Sequence, residues 1–302
     1  MKTLITCPRT EISKNNFNNL FSEKNIEVDY TFPKNQGFSS KEMRQIYDNH
    51  EILIIGDDEV DQDFLNKAVS IKYIIKWGKG TDNIDKKFCN SKDISVYNSP
   101  GNLAKYVAEH GMSLINSLNK NILLNIDSVN GNKWFKEPSM TLFKKTIGFY
   151  GFGEIAGEFV KLLKPYNVNI IFHDINTLNN DFEQLSVEEV FINSDVLIVA
   201  SALTKDNEGE INIKLIKNMK KDAIIINVSR GKIINEKDLI SSLKNKAIRG
   251  AGLDVFYEEP ISSNHELLRL ENVVITCHNA SNTDEASKEV NKEIIKIMDK
   301  IL

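Results

Sequence analysis

Short apolar runs alternate with polar or amphipathic stretches along most of the chain. In the first third, Leu4–Thr6, Glu27–Tyr30, Ile52–Ile55, Tyr73–Ile75 and Ile94–Tyr97 read as strands. The stretches between them, such as Ser39–Asn49 and Gln62–Ser70, read as helices. The same rhythm returns later, with strands at Thr146–Tyr150, Val168–Phe172, Val196–Val199, Ala223–Val228, Gly250–Leu253 and Val273–Thr276. Strand–helix alternation predicts mostly parallel sheets covered by helices, an α/β fold. Between the two runs, Asn98–Asn102 is rich in turn residues, and Leu103 to about Ile126 carries apolar residues at helical spacing. Gly131–Pro138 reads as a loop, with Trp134 in it expected to pack. From Asp284 to Leu302 a final helix sets Ala286, Val290, Ile294, Ile295 and Met298 on one side. That helix is expected to return to the first domain. The pattern therefore predicts two doubly wound parallel-sheet domains: residues 1–98 plus 282–302, and residues 99–281. The cleft between two such domains is the expected small-molecule site.

Composition narrows the partners. The chain of 302 residues is long enough for two ordinary cores, and 41% hydrophobic with 26% charged residues is a globular balance. A net charge of −4 without any basic run gives no reason to expect nucleic acid. No apolar stretch approaches the length of a membrane span. The one lysine and very short apolar run before Pro8 do not make a secretory leader. Cys7, Cys89 and Cys277 are an odd, scattered set, which suggests reduced thiols and a cytoplasmic location.

Candidate chemistry gathers at predicted strand ends. After Thr146–Tyr150 come Gly151, Phe152, Gly153, Glu154, Ile155 and Ala156, then a helix-like segment to Lys164. Gly151 permits a tight turn, Gly153 permits close approach to a pyrophosphate, and a helix N-terminus offers unpaired N–H groups. Ala156 fills the third small position. Asp174 closes the next strand about 20 residues on, the spacing of a carboxylate that binds an adenosine ribose. Further along, Arg230, His278 and the neighbouring pair Glu258 and Glu259 follow strand ends. If those strands are parallel, all of these residues lie on one side of the sheet. Gly78–Lys79–Gly80 also follows a strand end. It reads either as an anion-binding loop or, more simply, as a glycine turn with a solvated lysine; Lys76 and Lys79 would make its mouth positive if both side chains face it. His50 and His265 lie in polar surroundings, and His173 has no evident partner. No histidine pair has metal-ligand spacing, so no metal is expected.

These segments carry a resemblance. The chain resembles the D-isomer-specific 2-hydroxyacid dehydrogenases, a family that includes phosphoglycerate dehydrogenases and glyoxylate or hydroxypyruvate reductases. The matching segments, in family order, are WGKGTDNID (Trp77–Asp85), SPGNLAKYVAEH (Ser99–His110), YGFGEIAG, NVSRG, LDVFYEEP and CHNAS. Residues 1–70 resemble the family only in rhythm. The resemblance implies a Rossmann-type NAD domain, a smaller flavodoxin-like substrate domain, and hydride transfer between a 2-keto acid and a D-2-hydroxy acid. It implies a clamp on the substrate carboxylate at Arg230 and a general acid–base at His278, paired with Glu259 because that carboxylate directly precedes Pro260. Lys79 and Gly80 would hold the substrate together with Arg230 and His278. NAD would lie against Gly151, Gly153, Glu154, Ile155, Asp174, Ser201, Asn207, Val228, Ser229, Arg230, Asp254, His278 and Ala280, with Asp254 at the nicotinamide carboxamide. His110 would pack, as a histidine on the long helix often does in the family. A homodimer through the larger domain is implied as well.

The chain also departs from the pattern. Cys277 stands where proline often precedes the histidine, and Ala202 stands at another usual proline. Asn207 replaces a usual threonine, and Glu154 replaces an arginine near the phosphates.

Overall fold

The computed structural model describes residues 1–177 and 181–302, and the chain divides into two compact units. One comprises Met1–Leu103 and Asn282–Leu302; the other is Ala104–Ser281. The first boundary falls past the expected break at Asn98–Asn102. The reason is packing: Gly101 lies against Val290 of the last helix, where a Cβ would meet its Cγ2 at 2.8 Å. Leu103 packs on the core that this helix shares with Trp77.

In the first unit, β1 (Lys2–Ile5), β2 (Glu27–Tyr30), β3 (Ile52–Ile55), β4 (Tyr73–Trp77) and β5 (Ser95–Ser99) form a parallel sheet in the order β2-β1-β3-β4-β5. Strand β3 is buried throughout. Its alternating side chains feed opposite faces: Leu53 and Ile55 join one core, Ile52 and Ile54 the other. The second face is closed by Val290, Ile294 and Met298 of the helix Asp284–Ile301. Thr283 caps this helix by accepting the Ala286 N–H.

Among the described residues the second unit has seven strands: β6 (Thr146–Tyr150), β7 (Asn169–His173), β8 (Glu183–Gln184), β9 (Val196–Val199), β10 (Ile224–Asn227), β11 (Gly250–Leu253) and β12 (Val273–Ile275). All pairs are parallel, in the order β12-β11-β10-β9-β6-β7-β8. The chain runs outward from β6 to β8, then returns to β9 and runs outward the other way. The β6/β9 junction is therefore the topological switch point, where open α/β sheets bind ligands. Ile225 points into one core, and Ile224 and Ile226 into the other, so helices cover both faces.

Two expectations need correction, and one strand was not foreseen. The apolar run from Leu103 is not one helix. It breaks after Leu103–Asn119, where Asn121 adopts a left-handed conformation (φ 51°), and restarts as Ile122–Asn130. Asparagine tolerates that conformation better than most residues. Trp134 does not pack; it is 81% exposed. Strand β8 had no apolar signal, because its two residues are polar and edge-bound. No helix among the described residues is long and apolar enough to cross a membrane.

Candidate active site

The glycine-rich turn sits at the switch point. Gly151 has φ +88°, and a Cβ there would lie 2.7 Å from Ser201 N and Cα, so the loops after β6 and β9 touch at a position only glycine allows. Gly153 is the N-cap of the helix Glu154–Leu163, has no side-chain cap, and has open space where a Cβ would be. The N-terminus of that helix, with the positive end of its dipole, is the kind of element that receives an anion. Asp174 ends the adjacent strand. Its Oδ2 accepts from Phe152 N at 2.9 Å and its Oδ1 from Asn176 N at 2.9 Å. A carboxylate has further lone pairs for ribose hydroxyls. These residues fit a dinucleotide: a helix N-terminus behind a glycine turn for the pyrophosphate, and a carboxylate positioned by that turn.

Other expected cofactor positions differ in character. Glu154 is exposed in the first helical turn, and Ile155 is half-buried. Asn207 spends its side chain on its own loop: it accepts from Thr204 N at 2.8 Å and donates to Ala202 O at 2.8 Å and Ser201 Oγ at 3.4 Å. Glu210 accepts from the Tyr150 hydroxyl, and burial followed by this carboxylate pushes the phenol well above its usual range. Val228 and Ser229 are buried.

Three neighbouring strands deliver the ionisable residues. Arg230 follows β10, Glu259 follows β11 and His278 follows β12. Asn227 Nδ2 donates to Arg230 O at 3.0 Å, and its Oδ1 accepts from Ser229 N at 3.1 Å, which fixes the turn. The Arg230 guanidinium donates to Ser229 O at 2.8 Å. Gly231 then nests on the next loop, where a Cβ would fall 1.9 Å from the carbonyl carbon of Phe256. The arginine loop thus lies directly against the glutamate loop. Phe256 N donates to Glu259 Oε1 at 2.9 Å, and Glu259 Oε2 meets His278 Nδ1 at 2.6 Å. Glu258, the rival carboxylate, is exposed. With Nδ1 engaged, the imidazole is oriented with Nε2 on its opposite edge.

Asp254 and His110 come together at the turn after β12. Asp254 is 0% exposed. Its Oδ1 accepts from Thr276 Oγ1 at 2.6 Å and Asn279 N at 2.8 Å, and its Oδ2 from Ala280 N at 2.9 Å. Burial raises its pKa, but the hydrogen bonds from His110, Thr276 and the two N–H groups outweigh this and bring it down to about 2. It therefore anchors the turn after β12. His110 does not simply pack: its Nε2 lies 3.0 Å from Thr276 Oγ1 and 3.4 Å from Asp254 Oδ1. Sequence reasoning missed this pair because no local pattern links residues 110 and 254.

On the first unit, Lys79 is exposed and its carbonyl accepts from Asn98 Nδ2 at 3.0 Å; Gly80 follows it past the end of β4. Lys76 does not add a free positive charge beside them. It is buried, pairs with Asp57 at 3.2 Å, and donates to Trp77 O at 2.9 Å. Among the remaining histidines, His50 pairs with Asp29, His265 with Glu236, and His173 Nδ1 lies 3.2 Å from Leu185 O.

A switch-point dinucleotide site beside an arginine and a histidine–carboxylate pair defines a nicotinamide-dependent oxidoreductase. Residues 112–280 match the family model of the D-isomer specific 2-hydroxyacid dehydrogenase NAD binding domain. The glyoxylate reductase of Pyrococcus furiosus is 30% identical over 95% of this chain and 95% of its own length. The D-3-phosphoglycerate dehydrogenase of Methanocaldococcus jannaschii is 33% identical over 88% of this chain, but only 52% of that protein is covered. Among solved structures, the D-lactate dehydrogenase of Aquifex aeolicus, complexed with NAD and lactic acid, superposes with a TM-score of 0.86 at 22% identity. That pair covers 100% of this chain and 95% of the other, and shows a shared fold. The chain belongs to the D-isomer-specific 2-hydroxyacid dehydrogenases, NAD-dependent oxidoreductases acting on CH–OH donors.

Proposed function

We propose that this protein reduces a small 2-keto acid to the D-2-hydroxy acid with NADH, with Arg230, Glu259 and His278 as its catalytic residues. The observation that carries the assignment is the Glu259–His278 pair at 2.6 Å, delivered beside Arg230 by adjacent parallel strands. When bound, the nicotinamide supplies or accepts the hydride. Arg230 holds the substrate carboxylate through its planar fork and polarises the keto oxygen. His278 gives a proton from Nε2 to the developing alkoxide, and Glu259 favours the charged imidazole that can do so. The three free thiols suit a reducing compartment, and we place the protein in the cytoplasm.

The deciding experiment is NADH oxidation, followed by absorbance, across glyoxylate, hydroxypyruvate, pyruvate, bulky 2-keto acids and phosphohydroxypyruvate. Turnover of at least one is expected; turnover of none would leave a nucleotide-sensing scaffold as the reading. Asp174 adds a second expectation. Its carboxylate repels a 2′-phosphate, so NADH should exceed NADPH in kcat/KM by at least ~10-fold, about 1.4 kcal/mol. Equal values for the two cofactors would remove Asp174 from the ribose.

The same reading includes a homodimer through the second unit. The helix Ile122–Asn130 has no buried residue, and Ile122, Leu123, Leu124, Ile126 and Val129 are exposed along it. Trp134, Phe135 and Phe143 follow, also exposed. Apolar exposure on this scale marks an interaction surface, and a second copy is the partner the reading assigns. Light scattering should give twice the 34.3 kDa chain mass. Leu124→Glu combined with Phe135→Glu should shift it to monomer; a monomeric wild type would remove the dimer.

A further inference from the structure

His110 lies far in sequence from every residue assigned above, yet it ends a chain of hydrogen bonds that leads to the catalytic turn. Thr276 has a single hydroxyl proton, and Asp254 Oδ1, 2.6 Å away, belongs to an ionised carboxylate that can only accept. The proton therefore points at Asp254. Thr276 Oγ1 is left to accept at its other side, where His110 Nε2 stands 3.0 Å away. This fixes His110 as an Nε2–H donor. Asp254 in turn collects three consecutive backbone donors. Its main-chain carbonyl accepts from His278 N at 2.7 Å, and its side chain accepts from Asn279 N and Ala280 N. These bonds grip the turn at a residue held in an unusual conformation: His278 has φ +51°, a left-handed geometry that a histidine seldom adopts unsupported. The surrounding bonds are what hold it there.

We propose that His110 is a positioning residue for the reaction: by donating to Thr276, with Asp254 Oδ1 also 3.4 Å from its Nε2, it orders Asp254 and so fixes the turn that presents His278. The inference rests on the reading of His278 as the general acid–base. It assigns His110 no contact with substrate or cofactor. Its effect is to keep the imidazole at one place and angle, where proton transfer is sensitive to displacements of about an ångström.

The test uses three variants of the full chain. His110→Leu removes the donor; Thr276→Val removes the relay while keeping its shape; His110→Gln restores an N–H at the Nε2 position. Both His110→Leu and Thr276→Val should lower kcat on the order of tenfold, with KM for NADH held within about twofold. His110→Gln should recover kcat to within about threefold of wild type. The imidazole C–H resonances of His278, assigned by their loss in His278→Ala, should shift in the Leu and Val variants and return in the Gln variant. An unmoved resonance and unchanged kcat in folded His110→Leu would overturn the proposal, as would a loss confined to KM for NADH. Should His110→Leu fail to fold, Thr276→Val decides by the same readouts. If the wild type turns over no 2-keto acid, the functional reading falls, and the resonance of His278 still decides whether His110 orders its turn.

Discussion

Replacing His278 with alanine should lower the rate of keto-acid reduction by roughly 10²–10⁴, the usual range for lost general acid–base work. The structure supplies the reason for expecting a fall of this size. Glu259 Oε2 holds Nδ1 at 2.6 Å while Phe256 N holds the other carboxylate oxygen, so ring and partner share one fixed geometry. Reduction needs the charged imidazole, and an adjacent carboxylate favours it. Glu259→Gln keeps the shape and removes the charge. The imidazole then loses its proton at lower pH, so the alkaline decline of reduction moves to lower pH. The acid-side limb of hydroxy-acid oxidation, which needs the neutral imidazole, moves the same way. Rate–pH profiles in both directions read these shifts. An unmoved limb in Glu259→Gln would break the pairing, and full activity in His278→Ala would remove the acid–base role.

Arg230→Lys should cause a comparably severe loss in kcat/KM for keto acids, on the order of 10²-fold, with NADH affinity little changed. Lysine keeps the charge and loses the planar fork that matches a carboxylate with two parallel hydrogen bonds. It also loses the guanidinium contact to Ser229 O, which sets the direction of the side chain. Steady-state kinetics beside an NADH titration separate the two effects. Near-normal catalysis would mean that the carboxylate is held elsewhere.

Strand positions were readable because buried parallel strands are written as continuous apolar runs; Ile52–Ile55 and Val196–Val199 are buried along their whole length. The proposed catalytic positions could be grouped for a related reason. In a parallel sheet, strand ends share a side, so Arg230, Glu259 and His278 could be grouped once their strands were recognised. Polar contacts distant in sequence were not readable. Lys76 looked like an available charge until the fold brought Asp57 to it, and His110 looked like packing until Thr276 and Asp254 met it. The break at Asn121 was hidden because apolar periodicity continues across it, while the turn depends on one backbone angle.

Gly231 carries a consequence for the engineering of this scaffold. Its missing side chain lets the loop after β10 rest on the backbone of Phe256, whose amide also holds Glu259. The two loops therefore meet at this point through main chain, a contact that any side chain at position 231 would disrupt. Selection for a new substrate can vary the surrounding side chains freely, but position 231 stays closed to it. Changes at Arg230 and at Glu259 should be treated as one combined variable in any library built on this fold.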